Sequence, residues 1–250
     1  MISPVIICGR AFFLSLKYLF LPILFFISAQ TDPRQHFSGR YEDAIRFVKH
    51  NSDRLTRLID FEGGNTDVVV SVIFPELIRF SMWKDYFETK ANELMYIRDD
   101  PRGKFFSIGM YQIKPTFAEK VESFIQSTPS LASVYAHLYT YDVTGDEQIR
   151  AERLKRLKSW IWQTRYVTAF TKIVESRFSL SSMAVDDKIA FICSAYNHDF
   201  LCDSSEVVQW ISRKSFPYGI KRENPFTYAE VALFFYRNDY PVLFSKEKKE

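Results

Sequence analysis

The sequence contains few of the residues that build metal centres and activated nucleophiles. It has four histidines and three cysteines, and no histidine stands at a typical ligand spacing from a cysteine or from another histidine. The pair His198–Asp199 is therefore not expected to mark a zinc site, and the serines near it lack a nucleophile-elbow pattern. No glycine-rich phosphate loop is present. We expect a protein without a metal ion or another cofactor.

Glycine and proline are also scarce. The 250 residues include 8 glycines and 10 prolines, and these are scattered along the chain. No linker is visible, and neither is an internal repeat or a low-complexity tract other than the charged tail "KEKKE". With 47% hydrophobic and 17% aromatic residues, the chain is large and apolar enough to form one domain with a substantial core.

The N-terminal segment has almost no charge. Arg10 and Lys17 are its charged residues ahead of the apolar run "YLFLPILFFISA", which ends in small residues. This order predicts a secretory signal peptide over residues 1–29, cleaved near Ala29. The alternative is a retained membrane anchor, although the run contains Pro22 and is shorter than the ~20 residues of a membrane span. We therefore expect an exported protein, periplasmic or secreted.

Removal of the predicted signal changes the charge and the cysteine content. The remaining chain has 31 basic and 30 acidic residues, so its net charge gives no support for a nucleic-acid partner. Two cysteines remain, Cys193 and Cys202. A disulfide between them and a pair of buried free thiols both fit the sequence, because geometry decides between the two.

Helical spacing of apolar residues dominates the rest of the chain. It covers residues 41–61, 148–176, 183–196 and 227–239, and residues 82–105 begin in the same way. The basic residues within 148–176 predict a solvated helix face.

Three shorter segments carry other signals. Pro115, Thr116 and Glu119 predict a helix start with a capping box. The run "DVVVSVIF" fits a strand or a helix buried on all sides, and Pro75 is expected to end or kink it. A small extended element is expected near residues 105–113. The predicted fold class is therefore mainly α with little β structure.

The stretch "VIFPELIRFS" places one carboxylate, Glu76, in an apolar run. Burial disfavours the ionised form and raises the pKa of such a group. A carboxylic acid that stays protonated near neutrality can protonate a glycosidic oxygen, as in lysozyme. From this stretch alone, the alternative is a glutamate that faces solvent or pairs with Arg79, whose charge would lower the pKa.

Three segments, "FPELIRFS", "FSIGMYQIKPTFAE" and "SAYNHDF", occur in this order. In sequence and in order, these segments resemble three motifs of the lysozyme-like lytic transglycosylases of the soluble type. In that family a catalytic glutamate ends a buried helix, a Gly-x-x-Gln stretch follows, and an Ala-Tyr-Asn turn comes third. Glu76, Gly109, Gln112 and the segment 195–197 match these motifs, and Tyr228 matches a late Tyr-Val helix of the family.

The resemblance spans about residues 66–240 and implies a lysozyme-like fold that acts on the glycan strands of peptidoglycan. It implies that Glu76 is the general acid and then the base of a transglycosylase reaction that forms 1,6-anhydro-muramoyl ends. It implies no cofactor, and it leaves envelope proteins open as partners. The residues expected to bind the glycan are Ser107, Gly109, Tyr111, Gln112, Tyr196, Asn197 and Tyr228.

Departures from the family pattern leave two alternatives open. Leu77 follows the acid where the family usually has Ser or Thr, and His198–Asp199 replace the glycine that usually ends the third motif. One alternative is a catalytically inactive peptidoglycan-binding or envelope-assembly protein. The other is a lysozyme-type hydrolase of the same bond, which needs a second carboxylate. The candidates for that carboxylate are Asp99, Asp100, Glu88 and Glu93, each of which also fits an ordinary polar turn or a solvated helix face.

Overall fold

The computed structural model describes residues 32–82, 89–217 and 225–245. The predicted signal peptide, its cleavage near Ala29, the charged tail and Glu88 lie outside these ranges. Within them the chain is mainly helical, which confirms the mainly α class. None of the helices in these ranges combines the length and the apolar character needed to cross a membrane.

Most of the described chain belongs to thirteen α-helices. They are α1 Pro33–Phe37, α2 Gly39–Phe61, α3 Thr66–Met82, α4 Thr89–Ile97, α5 Pro115–Ser127, α6 Pro129–Ala132, α7 Ala136–Tyr139, α8 Asp146–Leu157, α9 Trp160–Arg177, α10 Val185–Asn197, α11 Ser204–Ile211, α12 Tyr228–Asn238 and α13 Tyr240–Leu243. Two 3₁₀ turns lie at Pro101–Lys104 and Leu180–Ser182. The strands β1 Lys214–Phe216 and β2 Phe226–Thr227 pair antiparallel, with Lys214 opposite Thr227.

Helix α3 lies in the core. It packs against α2, α9, α10 and α12, and every residue from Val68 to Ile78 is buried. The β-branched run therefore forms a helix, because a helix enclosed on all sides is apolar all round.

The expectation that Pro75 ends this element is wrong, because α3 continues to Met82. A proline has no N–H for the carbonyl four residues earlier, which here belongs to Ser71. The Tyr228 hydroxyl donates to the next carbonyl, that of Val72, at 2.9 Å. This contact from α12 stabilises the helix beside the position that Pro75 weakens.

The helical pattern over residues 148–176 forms two helices, α8 and α9, which separate at residues 158–159. Lys155 is exposed, as the prediction of a solvated face requires. The prediction is wrong for Arg153 and Arg156, which are buried. Arg153 donates to both carboxylate oxygens of Glu122, at 2.8 and 2.7 Å. Arg156 donates to three backbone carbonyls at the end of α7. Buried polar partners thus replace water on this face.

The predicted capping box at Thr116 is also wrong. Helix α5 begins at Pro115, and its N-cap, Lys114, makes no capping bond through its side chain. A capping box forms instead at α12, where Thr227 and Glu230 each accept a hydrogen bond from the other's backbone N–H. This reciprocal pair fixes the start of the helix that carries Tyr228.

Candidate active site

Glu76 lies in the buried part of α3, with 4% of its surface exposed. Burial is the largest influence on its carboxyl group and raises its pKa above the ordinary value. The charges of Arg79 and Lys114 act in the opposite direction but do not outweigh burial. The structure therefore favours a carboxylic acid that retains its proton to higher pH than an exposed glutamate does.

Arg79 lies close to this carboxyl group without holding it tightly. The two contacts from its Nη1 atom to the carboxylate oxygens measure 3.4 and 3.5 Å. A strong charge-assisted hydrogen bond would measure about 2.7–2.9 Å. The buried Nε atom of Arg79 has no hydrogen-bond partner among the described residues. The guanidinium forms a long ion pair with Glu76, which lowers the pKa of the carboxyl group by less than burial raises it.

The second segment folds into a tight turn closed by one isolated β-bridge, so the extended element predicted near residues 105–113 is limited to that bridge. Ile108 and Ile113 form an antiparallel bridge, with N–H···O distances of 2.9 and 3.1 Å. Between them, Gly109 and Gln112 have φ values of +68° and +50°. The second is uncommon for a residue with a side chain. The Gln112 amide donates back to the carbonyl of Gly109 at 2.8 Å, which holds the residue in this conformation.

The third segment is connected to the second by a hydrogen bond. The Tyr196 hydroxyl, at the end of α10, donates to the backbone carbonyl of Tyr111 at 2.9 Å. The next residue, Asn197, donates its side-chain amide to Ser215 Oγ at 3.1 Å. The charge of Glu76 adds to burial in raising the pKa of Tyr196, as expected if the ring lies close to the carboxylate. Segments far apart in sequence thus form one continuous surface.

A cleft of about 530 Å³ opens along this surface. Five of the predicted site residues line it, and they come from all three segments: Glu76, Ser107, Gln112, Tyr196 and Asn197. The cleft is large enough for a small organic ligand or part of a polymer chain. A buried acid and several hydrogen-bonding side chains therefore share one opening.

Comparisons with known proteins add no relative. No protein-family model, no curated protein and no solved structure matches this chain. The assignment of a function therefore depends on the geometry of the cleft and on the chemistry of the residues that line it.

Three residues expected to bind the glycan do not line the cleft. Tyr111 is fully buried, and its hydroxyl lies 3.0 Å from Thr164 Oγ1, so it belongs to the core. Packing requires a glycine at position 109, because a Cβ atom there would lie 2.2 Å from Nε2 of Gln163. Tyr228 is buried, and its hydroxyl donates to the carbonyl of Val72 and also contacts the carboxyl group of Glu76, whose pKa this contact lowers. We assign all three residues to positioning the cleft rather than to contact with a ligand.

Several residues that line the cleft were not predicted as site residues from the sequence. Some are neighbours of predicted positions, and their closeness to Ser107, Gln112 and Asn197 is the signal that could have revealed them: Phe105, Lys114, Thr116, Phe117, His198 and Asp199. Lys120 lies one helical turn beyond Thr116. Trp210 comes from the separate helix α11, and no local pattern connects it to the motifs.

The carboxylates considered for a hydrolase lie elsewhere. Asp100 caps a 3₁₀ turn, and its hydrogen bonds to Arg102 lower its pKa to about 2. Glu93 pairs with Lys158 at 2.9 Å. Asp99 does not line the cleft, and Glu88 lies outside the described residues. The second carboxylate of the cleft is Asp199, which forms an ion pair with Lys120 at 2.6 Å.

Both cysteines considered for a disulfide are free thiols. Cys193 lies inside α10 and is completely buried, and its burial raises the pKa of the thiol well above the ordinary value. Cys202 lies in the turn before α11 and is partly exposed. A further grouping is formed by His198, Cys202 and Glu206, which converge in space. They recur every four residues along the chain, so the expectation that no histidine stands at a ligand spacing from a cysteine is wrong.

Proposed function

We propose that this protein is a lytic transglycosylase with a lysozyme-like fold, which cleaves the bond between N-acetylmuramic acid and N-acetylglucosamine in peptidoglycan. The observation that supports this proposal is the position of Glu76, a buried acid with a raised pKa in a cleft shared by all three motifs. The predicted export of the chain stays a prediction, and it is consistent with a substrate outside the cytoplasm.

In the first step, Glu76 donates its proton to the glycosidic oxygen between the two sugars. The bond from that oxygen to C1 of the muramoyl residue breaks, and positive charge develops at C1. Burial favours this step, because it keeps the carboxyl group protonated until the substrate is bound.

In the second step, the carboxylate of Glu76 takes the proton of the muramoyl 6-hydroxyl, whose oxygen bonds to C1. The product is a 1,6-anhydro end, and Glu76 regains its proton, so one residue serves as acid and then as base. Arg79, 3.4 Å away, stabilises the carboxylate between the two steps without removing its proton beforehand.

The rim of the cleft offers a surface for sugar stacking. Phe105 is 82% exposed and lines the cleft close in sequence to Ser107. A large apolar ring in this position is suited to the apolar face of a pyranose ring. Ser107, Gln112 and Asn197 supply hydroxyl and amide groups for the sugar substituents.

Hydrolysis of the same bond is the second candidate, and the position of Asp199 in the cleft favours it. A lysozyme-type reaction uses a second carboxylate to activate water or to stabilise the charge at C1. Here the carboxylate forms an ion pair with Lys120 at 2.6 Å and accepts the Leu201 N–H at 3.0 Å. These bonds occupy Asp199, so we rank hydrolysis second.

Digestion of purified sacculi tests the proposal. Wild-type protein should release muropeptides with anhydro ends, and Glu76→Gln should release almost none. Asp100→Asn, a change outside the cleft, should keep the wild-type activity. Mass spectrometry separates the candidates, since reducing ends indicate hydrolysis. If the wild type binds sacculi but releases no more than Glu76→Gln, the protein is a binding protein and the proposal is wrong.

A further inference from the structure

Three metal-binding side chains meet where α10 is joined to α11. His198 is the C-cap of α10, Cys202 lies in the connecting turn, and Glu206 is in the first turn of α11. One ligand atom from each residue lies within 4.8 Å of the other two. The closest pair is His198 Nε2 and Glu206 Oε1, at 2.7 Å.

Neighbouring contacts orient two of these side chains. The imidazole ring of His198 stacks on Trp210, with ring centroids 4.1 Å apart and planes 13° from parallel. The Cys202 thiol donates to the backbone carbonyl of Asp199 at 2.8 Å. Asp199 is itself held by Lys120. The ring stack holds the imidazole in place for a metal ion, whereas the thiol gives up its hydrogen bond when its proton leaves.

We propose that His198, Cys202 and Glu206 bind a divalent transition-metal ion, with Zn²⁺ as the expected ion. Imidazole, thiolate and carboxylate are all ligands of zinc, and three protein ligands leave one position for water. Bonds of about 2.0–2.3 Å to one ion place tetrahedral ligand atoms less than about 4 Å apart. The three side chains are at least partly exposed, and a change of side-chain rotamer is sufficient to bring their ligand atoms from within 4.8 Å to these distances.

Binding exchanges a proton for the metal ion. The Cys202 thiol loses its proton to solvent as the sulfur–metal bond forms. The carboxylates of Glu206 and Asp199 lie near this thiol. The acidic surroundings therefore suit a cation rather than a free reactive thiolate.

Metal binding would affect one wall of the cleft. His198 and Trp210 both line it, and the ion would tie the end of α10 to the start of α11 on that side. The site stands independently of the proposed glycan chemistry, because its ligands do not include Glu76, Gln112 or Tyr196.

Titration of the untagged, chelator-treated full-length protein tests the site. We expect one Zn²⁺ per chain in competition with a chromophoric chelator. Co²⁺ should give a thiolate-to-metal charge-transfer band together with intense visible bands of a tetrahedral ion. Cys202→Ser should remove the charge-transfer band, and His198→Asn and Glu206→Gln should each weaken Zn²⁺ binding by more than about tenfold.

Two matched variants serve as controls. His50→Asn changes an exposed histidine on α2, and Cys193→Ala removes the other described thiol; both should keep the Co²⁺ band. Thermal unfolding without metal checks that each variant folds, and Zn²⁺ should raise the unfolding temperature of the wild type but not of Cys202→Ser. The site is disproved if the charge-transfer band is absent, or if the ligand variants bind Zn²⁺ as tightly as the controls.

Discussion

Gly109 packs directly against the side-chain amide of Gln163. The amide oxygen accepts the Tyr111 N–H at 2.9 Å, and the amide nitrogen donates to the carbonyls of Ile108 and Leu157 at 2.6 and 2.8 Å. A buried glutamine on α9 thus holds the turn that presents Gln112 to the cleft. A buried polar group with its hydrogen bonds satisfied specifies one backbone position.

This relationship predicts a large effect of Gly109→Ala. The new Cβ atom would lie 2.2 Å from Nε2 of Gln163, and the backbone has φ +68°. We expect a loss of about 2–3 kcal/mol in the free energy of unfolding, from overpacking and the left-handed conformation together. Chemical denaturation measures it. The control is Gly63→Ala, since Gly63 has φ +71° and a Cβ atom there would meet no other atom within 4 Å. An equal loss in both variants would show that the contact with Gln163 is unimportant.

Tyr196→Phe tests the hydrogen bond between the second and third segments. The variant loses the bond from the hydroxyl to the Tyr111 carbonyl, at a cost of about 1 kcal/mol. We also expect slower release of muropeptides, because the two walls of the cleft lose a connection. Tyr139→Phe removes a similar bond, to Ala132 at 2.9 Å. It should cost a similar amount of stability and leave activity unchanged. Equal activity in both variants would contradict the prediction.

The raised pKa of Glu76 predicts how stability depends on pH. The native state keeps this proton over a pH range in which the unfolded chain, near the ordinary value of 4.5, has lost it. The stabilisation is complete below that value and is lost as the pH rises through the native pKa. Because glutamine does not ionise, the free energy of unfolding of Glu76→Gln should increase relative to wild type as the pH rises from about 4.5.

Urea denaturation at several pH values measures this difference. Glu147→Gln, which changes an exposed carboxylate on α8, is measured beside it as the control. If the difference for Glu76→Gln is flat or falls as the pH rises, the native carboxylate is ionised, and its role as an acid is refuted.

The buried pair Arg153–Glu122 predicts a second large effect on stability. The Tyr141 and Tyr166 hydroxyls both donate to Glu122 Oε1 at 2.7 Å, in addition to the bonds from Arg153. Arg153→Met leaves the carboxylate buried without its cation and should cost about 3–5 kcal/mol. Lys155→Met, which removes an exposed partner of Glu152, should cost less than about 1 kcal/mol. Thermal or chemical unfolding compares the two, and similar losses would contradict the assignment.

Local sequence signals predicted many elements but misplaced several boundaries. The pattern over 41–61 corresponds to α2, and those over 183–196 and 227–239 correspond to α10 and α12, because periodic apolar residues determine which face of a helix is buried. The prediction that α3 ends at Pro75 failed, because contacts from α12 stabilise the helix beyond a residue at which local rules place its end. The Thr116 signal misled because a capping box also depends on the backbone conformation, which the motif alone does not fix.

The sequence by itself identified Glu76 as an acid in apolar surroundings, together with the mainly helical class, because both follow from neighbours along the chain. Only the tertiary structure decided which motif residues face the cleft. Tyr111 and Tyr196 belong to equally persuasive motifs, yet one is in the core and the other lines the opening. It also decided that His198, Cys202 and Glu206 converge. Side-chain direction and the approach of separate helices depend on packing, which no local pattern encodes.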